Sequence, residues 1–228
     1  MEQKPVYRHE EKYLITAADR IVLSSRLNAV ISRDLNTDPD GTYRIRSLYF
    51  DDPENSAFHD SLDGVYRKQK YRIRMYNNNS EMIFIEKKIK SDKGGIKLRE
   101  KISATELRSL TNGNYDFLLN KDSAVCRDFY SALRCGIRPV SIVDYRRTAF
   151  FSQAGNVRIT IDDEIRSFAF SGNFFDPSSS GVNLTDKGQC ILEIKYDAFL
   201  PDHIKKLIGI RDMFRCGFSK YSTGRNTL

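Results

Sequence analysis

The sequence predicts an α+β fold: a large antiparallel sheet or barrel with helices between or beside its strands. Three observations carry this. Several stretches alternate apolar and charged residues with period two, the pattern of a strand with two unlike faces. Most of these stretches are joined by short turns rich in Asn, Gly or Ser, which implies hairpins and antiparallel pairing. Between them lie segments with helical apolar spacing and recognisable caps. No internal repeat is evident, and 228 residues with 40% hydrophobic content suit one domain over residues 1–228.

The elements follow in order. Residues 6–15 (VYRHEEKYLI) read as the first strand. Thr16 then caps a helix through about Asp34, with Ile21, Leu23, Leu27, Val30 and Ile31 as its apolar stripe. DLNTDPDG carries two turn signals, TYRIRSLYFDD (42–52) is strand-like, and NSAFHDSLDG reads as a short helix or turn. KQKYRIRMY, the NNNS turn and EMIFIEKKIK (81–90) form a hairpin, and SDKGG turns the chain into IKLREKIS (96–103). Ser103 and Glu106 have capping-box spacing for a short helix. A longer helix spans about 121–135, closed by Gly136 and then Pro139. Residues 139–152 and 156–170 are strands separated by a QAG turn, and 171–188, rich in Ser, Gly and Asn, reads as a mobile loop. QCILEIKYD (189–197) is a strand, after which Pro201 starts a helix to about Met213.

Composition excludes several function classes. No apolar run approaches the ~18–20 residues of a membrane span, mean hydropathy is −0.51, and MEQKPVYRHEEKYLI lacks the apolar region of a signal peptide. A soluble, cytoplasmic chain without direct membrane insertion is expected. Cys126, Cys135, Cys190 and Cys216 form no CxxC pair, which argues against a disulfide framework or a zinc site. His9, His59 and His203 are scattered and give a Ser-His-Asp triad little to build on. The net charge is +7, and such an excess favours an anionic partner: nucleic acid, an anionic surface or a phosphorylated molecule.

The arrangement of that charge is informative. On KQKYRIRMY, Lys70, Arg72 and Arg74 share one face and Tyr71, Ile73 and Met75 the other. The same alternation gives Arg8, Glu10 and Lys12; Glu86, Lys88 and Lys90; Lys97, Arg99 and Lys101; Arg158, Thr160 and Asp162; and Glu193 with Lys195. Two arrangements satisfy this pattern. The charged faces look at water, or they line a barrel whose charge is compensated by an extended polyanion. Alternate arginines such as Arg72 and Arg74 favour the second, because a planar guanidinium grips phosphate oxygens in pairs. Glu10, Glu86 and Glu193 lie sparsely among the cations, where they could hold a divalent metal together with substrate phosphates. Asp162 and Asp163 read as turn formers and His9 as structural. Nucleic acid would call for aromatics stacked among the cations, and Tyr71 and Tyr76 do not both lie on the cationic face.

The segments RHEEKYLI, SLYFDD, KYRIRMY, FIEKKIK, YRRTAF, VRITID, LEIK and FSKY, in that order from about Val6 to Tyr221, resemble the VTC domain. This is the polyphosphate polymerase domain named after the vacuolar transporter chaperone complex, within the triphosphate tunnel metalloenzymes that also include CYTH-type phosphatases and cyclases. The resemblance implies an antiparallel β-barrel tunnel with helices packed outside and a basic interior for triphosphate or polyphosphate. It implies Arg72, Arg74, Lys88, Arg147 and Arg158 as the catalytic phosphate-facing set. Arg8, Lys12, Lys70, Lys97, Arg99, Tyr145, Lys195, Ser219 and Lys220 would bind substrate. Glu193 is the first choice as metal ligand for Mn²⁺ or Mg²⁺, with Glu10 and Glu86. Two departures bear on this. CYTH-type members begin with an ExExK signature, where this chain has Arg8, Glu10 and Lys12, and RCG ahead of FSKY replaces a segment that carries a further lysine in some polymerases.

The function this implies is transfer of the γ-phosphate of ATP to a growing inorganic polyphosphate chain. The alternatives are hydrolysis of triphosphate or polyphosphate by water and a non-catalytic polyphosphate-binding module. ATP and polyphosphate are the expected partners, without nucleic acid and with room for a membrane-protein partner.

Overall fold

The computed structural model describes residues 8–34, 37–91, 94–176, 181–209 and 213–228. Along the chain the strands are β1 (His9–Thr16), β2 (Ser32–Arg33), β3 (Thr42–Asp51), β4 (Lys68–Tyr76), β5 (Ile83–Ser91), β6 (Gly94–Ile102), β7 (Arg138–Ser152), β8 (Val157–Ala169), β9 (Val182–Asn183), β10 (Gln189–Tyr196) and β11 (Phe214–Arg215). The helices are α1 (Ala17–Asn28), α2 (Ser56–Leu62), α3 (Ala104–Thr111), α4 (Ala124–Arg134), α5 (Asp202–Ile208) and α6 (Lys220–Asn226). Hydrogen bonding orders the strands β11-β1-β10-β8-β7-β3-β4-β5-β6, with β2 on β7 and β9 on β8. All the strand pairs with a described register are antiparallel.

The fold is therefore α+β with a large antiparallel sheet. Among the described residues that sheet is open and ends on β11 and β6, which corrects the expected closed barrel. The two ends explain it. β11 offers only Phe214 and Arg215 for pairing, and β6 carries Lys97, Arg99 and Lys101 along a charged edge of the kind that resists a further strand.

The chain forms two compact units. The first comprises the chain up to Arg44, Tyr145–Ile165 and Thr185–Phe218. Its core is the apolar face of β1, β8 and β10: Tyr13, Ile15, Val157, Ile159, Ile161, Leu192 and Ile194, packed with Leu23 and Leu27 of α1 and Ile204 and Ile208 of α5. Thr16 caps α1 as expected, accepting from the Asp19 N–H while the Asp19 carboxylate accepts from the Thr16 N–H. The helix ends at Asn28 rather than near Asp34, because the chain then pairs as β2, and Ile21 and Val30 are exposed instead of joining the stripe. Gly209, left-handed at φ +67°, ends α5 ahead of the expected Met213.

The second unit comprises Ile45–Asp144, Arg166–Leu184 and Ser219–Leu228. Here the apolar face of β3–β6 (Leu48, Phe50, Tyr71, Ile73, Met75, Ile83, Ile85, Ile102) packs on α3 and α4 through Leu107, Leu110, Val125 and Phe129. Phe129 is fully buried, edge-on to Phe50 and stacked on Tyr71. Ser103 and Glu106 form the expected capping box of α3. Asn77 and Asn78 take the left-handed turn of the β4–β5 hairpin. The segment read as a mobile loop contains fully buried Phe174, whose carbonyl accepts from Arg46 at 2.7 Å; residues 177–180 lie outside the described residues. Thus α1 and α5 in the first unit and α3 and α4 in the second cover the apolar face, and the charged residues lie on the opposite one.

Candidate functional site

Each unit places a charged cluster on the sheet face opposite its apolar one. In the second unit, register builds the cluster in rows: Tyr49, Arg72, Glu86 and Arg99 stand opposite one another, as do Lys70, Lys88 and Lys97. The charged residues on this face of β4–β6 are Lys68, Lys70, Arg72, Arg74, Lys88, Lys90, Lys97, Arg99, Lys101 and a single carboxylate, Glu86. Arg72 places Nε 2.8 Å and Nη2 2.6 Å from Glu86 Oε2. Arg74 Nη1 lies 3.8 Å from the same oxygen, and Lys97 Nζ lies 3.2 Å from Oε1. Glu86 is wholly buried. Burial works against its charge, but Arg72, Arg74 and Lys97 outweigh it and hold the carboxyl well below the ordinary range.

Aromatic and hydroxyl groups support these cations. Arg72 Nη1 reaches Tyr49 Oη at 3.4 Å, and Arg74 Nε donates to Ser47 Oγ at 3.1 Å. Burial pushes the Tyr49 phenol up, yet Arg72, Arg74 and Lys70 together bring it down to about 8. Lys70 Nζ sits 4.9 Å from the Tyr221 ring centroid, and that ring lies 5.0 Å from the ring of Tyr49. Tyr221 is on α6, where its hydroxyl donates to Asp51; Ser219 is the N-cap of this helix and Lys220 its first residue.

In the first unit the rows are Glu10, Lys195 and Arg158, then Lys12, Glu193 and Thr160. Lys195 contacts the Glu193 carboxylate and lies 3.7 Å from Glu10. Lys12 lies 3.1 Å from Glu10 and donates to the Phe218 carbonyl at 3.0 Å. Burial lowers the Lys12 pKa, but Glu193 and Glu10 overcome this and raise it. Arg147 closes on buried Asp162 with two bonds, Nε at 2.6 Å and Nη2 at 2.7 Å, its Cζ 5.2 Å from the ring of buried Tyr145. Arg158 Nη2 donates to Asp34 at 2.7 Å and to Tyr43 Oη at 3.0 Å. Arg8 Nε lies 3.1 Å from Asp197.

The sequence-derived residues thus divide. Lys70, Arg72, Arg74, Glu86, Lys88, Lys97, Arg99, Ser219 and Lys220 belong to the second unit, and Arg8, Glu10, Lys12, Tyr145, Arg147, Arg158, Glu193 and Lys195 to the first. Asp162 and Asp163 are strand residues rather than turn formers: the first holds Arg147, and the second holds Arg146 at 2.9 and 3.0 Å. The left-handed residue is their neighbour Glu164, at φ +51°. Sequence reading also missed Tyr43, Tyr49 and Tyr221. For Tyr43 and Tyr49 the signal was present, since period two along TYRIRSLYFDD aligns them with Ser47 and Asp51. For Tyr221 the signal was the FSKY segment, whose last residue it is.

Glu10 and Glu193 are the carboxylates of the first unit whose oxygens could hold a hard divalent cation. The Lys195 ammonium already lies against both carboxylates, and Thr160, opposite Glu193, has a buried hydroxyl oxygen with no hydrogen-bond partner among the described residues. No three His, Cys, Asp or Glu side chains gather as a metal site among the described residues, so phosphate or water oxygens would complete the shell. Glu86 differs in its enclosure: it is wholly buried against two arginines and a lysine, which makes it their anchor.

The sequence signature of the VTC domain matches residues 7–228. The chain belongs to the VTC domain family. Two solved structures share the fold of this VTC domain. The PH1819 protein from Pyrococcus horikoshii OT3 aligns over 97% of this chain and 100% of its own, with 14% identity and a TM-score of 0.51. A putative adenylate cyclase from Vibrio parahaemolyticus aligns over 96% of this chain and 98% of its own, with 11% identity and a TM-score of 0.52. A search of the curated proteins gave no match. Among the described residues, no helix is long and apolar enough to cross a membrane.

Proposed function

We propose that this VTC domain is a polyphosphate polymerase, transferring the γ-phosphoryl group of ATP to the end of a growing inorganic polyphosphate chain. The observation that carries this is the sheet face of β4–β6, where cations on three successive strands surround one buried carboxylate. A densely charged, extended anion complements such a face. Membership of the VTC domain family supports the same reading.

Phosphoryl transfer asks a protein mainly for positioning and charge neutralisation. A terminal phosphate oxygen of the chain forms a bond to the γ-phosphorus while the bond to the β–γ bridging oxygen breaks, and ADP leaves with that electron pair. Arg72 and Arg74, oriented by Glu86 and Ser47, grip phosphate oxygens and spread the charge that builds on them. Arg147, whose Nε–Nη2 fork is held by Asp162, has its Nη1 left to meet phosphate in the first unit. Lys70, Lys88, Lys97 and Arg99 extend the cationic track for the chain, and Arg158, Lys12 and Lys195 neutralise phosphate in the first unit. Glu193 and Glu10 would hold Mn²⁺ or Mg²⁺, which supplies Lewis-acid polarisation of phosphoryl oxygens.

Incubation of the purified protein with ATP and Mn²⁺, followed by gel electrophoresis and ³¹P NMR, tests the proposal. Long-chain phosphate with stoichiometric ADP is expected. Orthophosphate without chains identifies a hydrolase, and tight polyphosphate binding without turnover identifies a binding module.

A further inference from the structure

A groove in the first unit is not accounted for by phosphate binding. It has a volume of about 790 Å³, inside the range of roughly 300–1,000 Å³ typical of small-molecule sites. Its walls are chemically mixed. Arg8, Arg33 and Arg158 bring positive charge and Asp34 a carboxylate, while Phe151 and Val30 add apolar surface. Those two side chains are 41% and 58% exposed, although Phe150, next to Phe151, is wholly buried in the core. Arg158 belongs both to the groove and to the charged face, where it stands opposite Lys195.

An inorganic phosphate chain gains nothing from Phe151 or Val30, and an apolar ligand gains nothing from three arginines. A molecule with a flat aromatic part and an anionic tail uses all of them. We propose that this groove holds the base and ribose of the nucleoside triphosphate, with Phe151 as the stacking surface for the base and Arg158 receiving the phosphates where they enter the charged face. Asp34, 2.7 Å from Arg158 Nη2, is placed to accept a hydrogen bond from a ribose hydroxyl or an exocyclic amine. This rests on the phosphoryl-transfer reading and adds to it a subsite for the nucleoside.

Equilibrium binding of ATP and of inorganic tripolyphosphate to the full chain tests it. Phe151→Ala is expected to weaken ATP about tenfold, as loss of one base-stacking surface does, and to change tripolyphosphate by less than about twofold. Phe151→Tyr should keep the ATP affinity. In the unaltered protein, saturation-transfer NMR should show the base protons of ATP receiving magnetisation, a readout that needs no variant to fold. Equal weakening of both ligands, an unchanged ATP affinity or silent base protons would overturn the nucleoside subsite. If the unaltered protein binds neither ATP nor tripolyphosphate, the phosphoryl-transfer reading falls and the subsite with it. Normal tripolyphosphate binding alongside an ATP affinity indifferent to Phe151 removes the subsite alone.

Discussion

Arg147 and Asp162 meet fork to fork, Nε 2.6 Å from Oδ1 and Nη2 2.7 Å from Oδ2, with the carboxylate wholly buried. Removing the carboxylate leaves a desolvated guanidinium without its counter-charge, a change that costs about 3–5 kcal/mol. Asp162→Asn is therefore expected to destabilise the ligand-free protein by that order in chemical denaturation. Added polyphosphate should recover part of the loss, because a ligand that binds only the folded state stabilises it. An unchanged denaturation midpoint would refute the pairing.

Arg72 and Arg74 are expected to be indispensable for turnover, yet their removal has a second effect. Arg72→Ala with Arg74→Ala strips two of the three cations from buried Glu86, so the double variant should lose both activity and stability. Adding Glu86→Gln should restore stability, since no buried charge then lacks its partners, without restoring polyphosphate binding. A triple variant that regains binding would show that the arginines serve only the fold.

Acid should weaken the protein through Glu86. Its carboxyl is depressed in the folded state, so its stabilising contribution is fully present above the unfolded value of about 4.3 and fades as pH falls below it. Comparing acid unfolding of the unaltered protein with that of Glu86→Gln checks this. The unaltered protein should lose more stability between neutral pH and the acid limb, and parallel curves would count against the assignment.

Tyr49 gives an alkaline signature. With its phenol brought down to about 8 from an unfolded value of about 10, it contributes nothing below pH 8, and its stabilisation grows from about pH 8 to 10. Tyrosinate absorbance should show an ionisation near pH 8 that Tyr49→Phe removes. Bound polyphosphate should move it upward, because phosphate charge offsets Arg72, Arg74 and Lys70. An early ionisation that polyphosphate leaves in place would separate Tyr49 from the ligand site.

The metal assignment is checked by electron paramagnetic resonance of Mn²⁺ in the presence of tripolyphosphate. Glu193→Gln should weaken Mn²⁺ uptake markedly and Glu10→Gln less, whereas Glu86→Gln should leave it near the unaltered value. A signal that depends on Glu86 rather than Glu193 would relocate the cation.

Much of this was legible from local pattern. The boundaries of β7, β8 and β10 lie within a residue or two of their expected positions, because local turn residues such as QAG mark where the strands stop. The caps Thr16 and Ser103 were equally plain, since a capping box is a contact between residues three apart. The end of α1 was not, because pairing of Ser32 and Arg33 with Phe151 and Phe150 is a distant competitor for the same backbone groups.

The site divides in the same way. The sequence alone determined which strand faces are cationic, since side-chain alternation is a property of each strand by itself, and its motifs pointed to the VTC family. Only the tertiary structure decided that the sheet stays open, that Glu86 is enclosed by Arg72, Arg74 and Lys97, and that Asp162 holds Arg147. Those outcomes depend on register between strands and on which carboxylate is buried beside which cation. Such choices are made across the sheet, by burial and charge pairing between residues far apart in the chain, where no local pattern reaches.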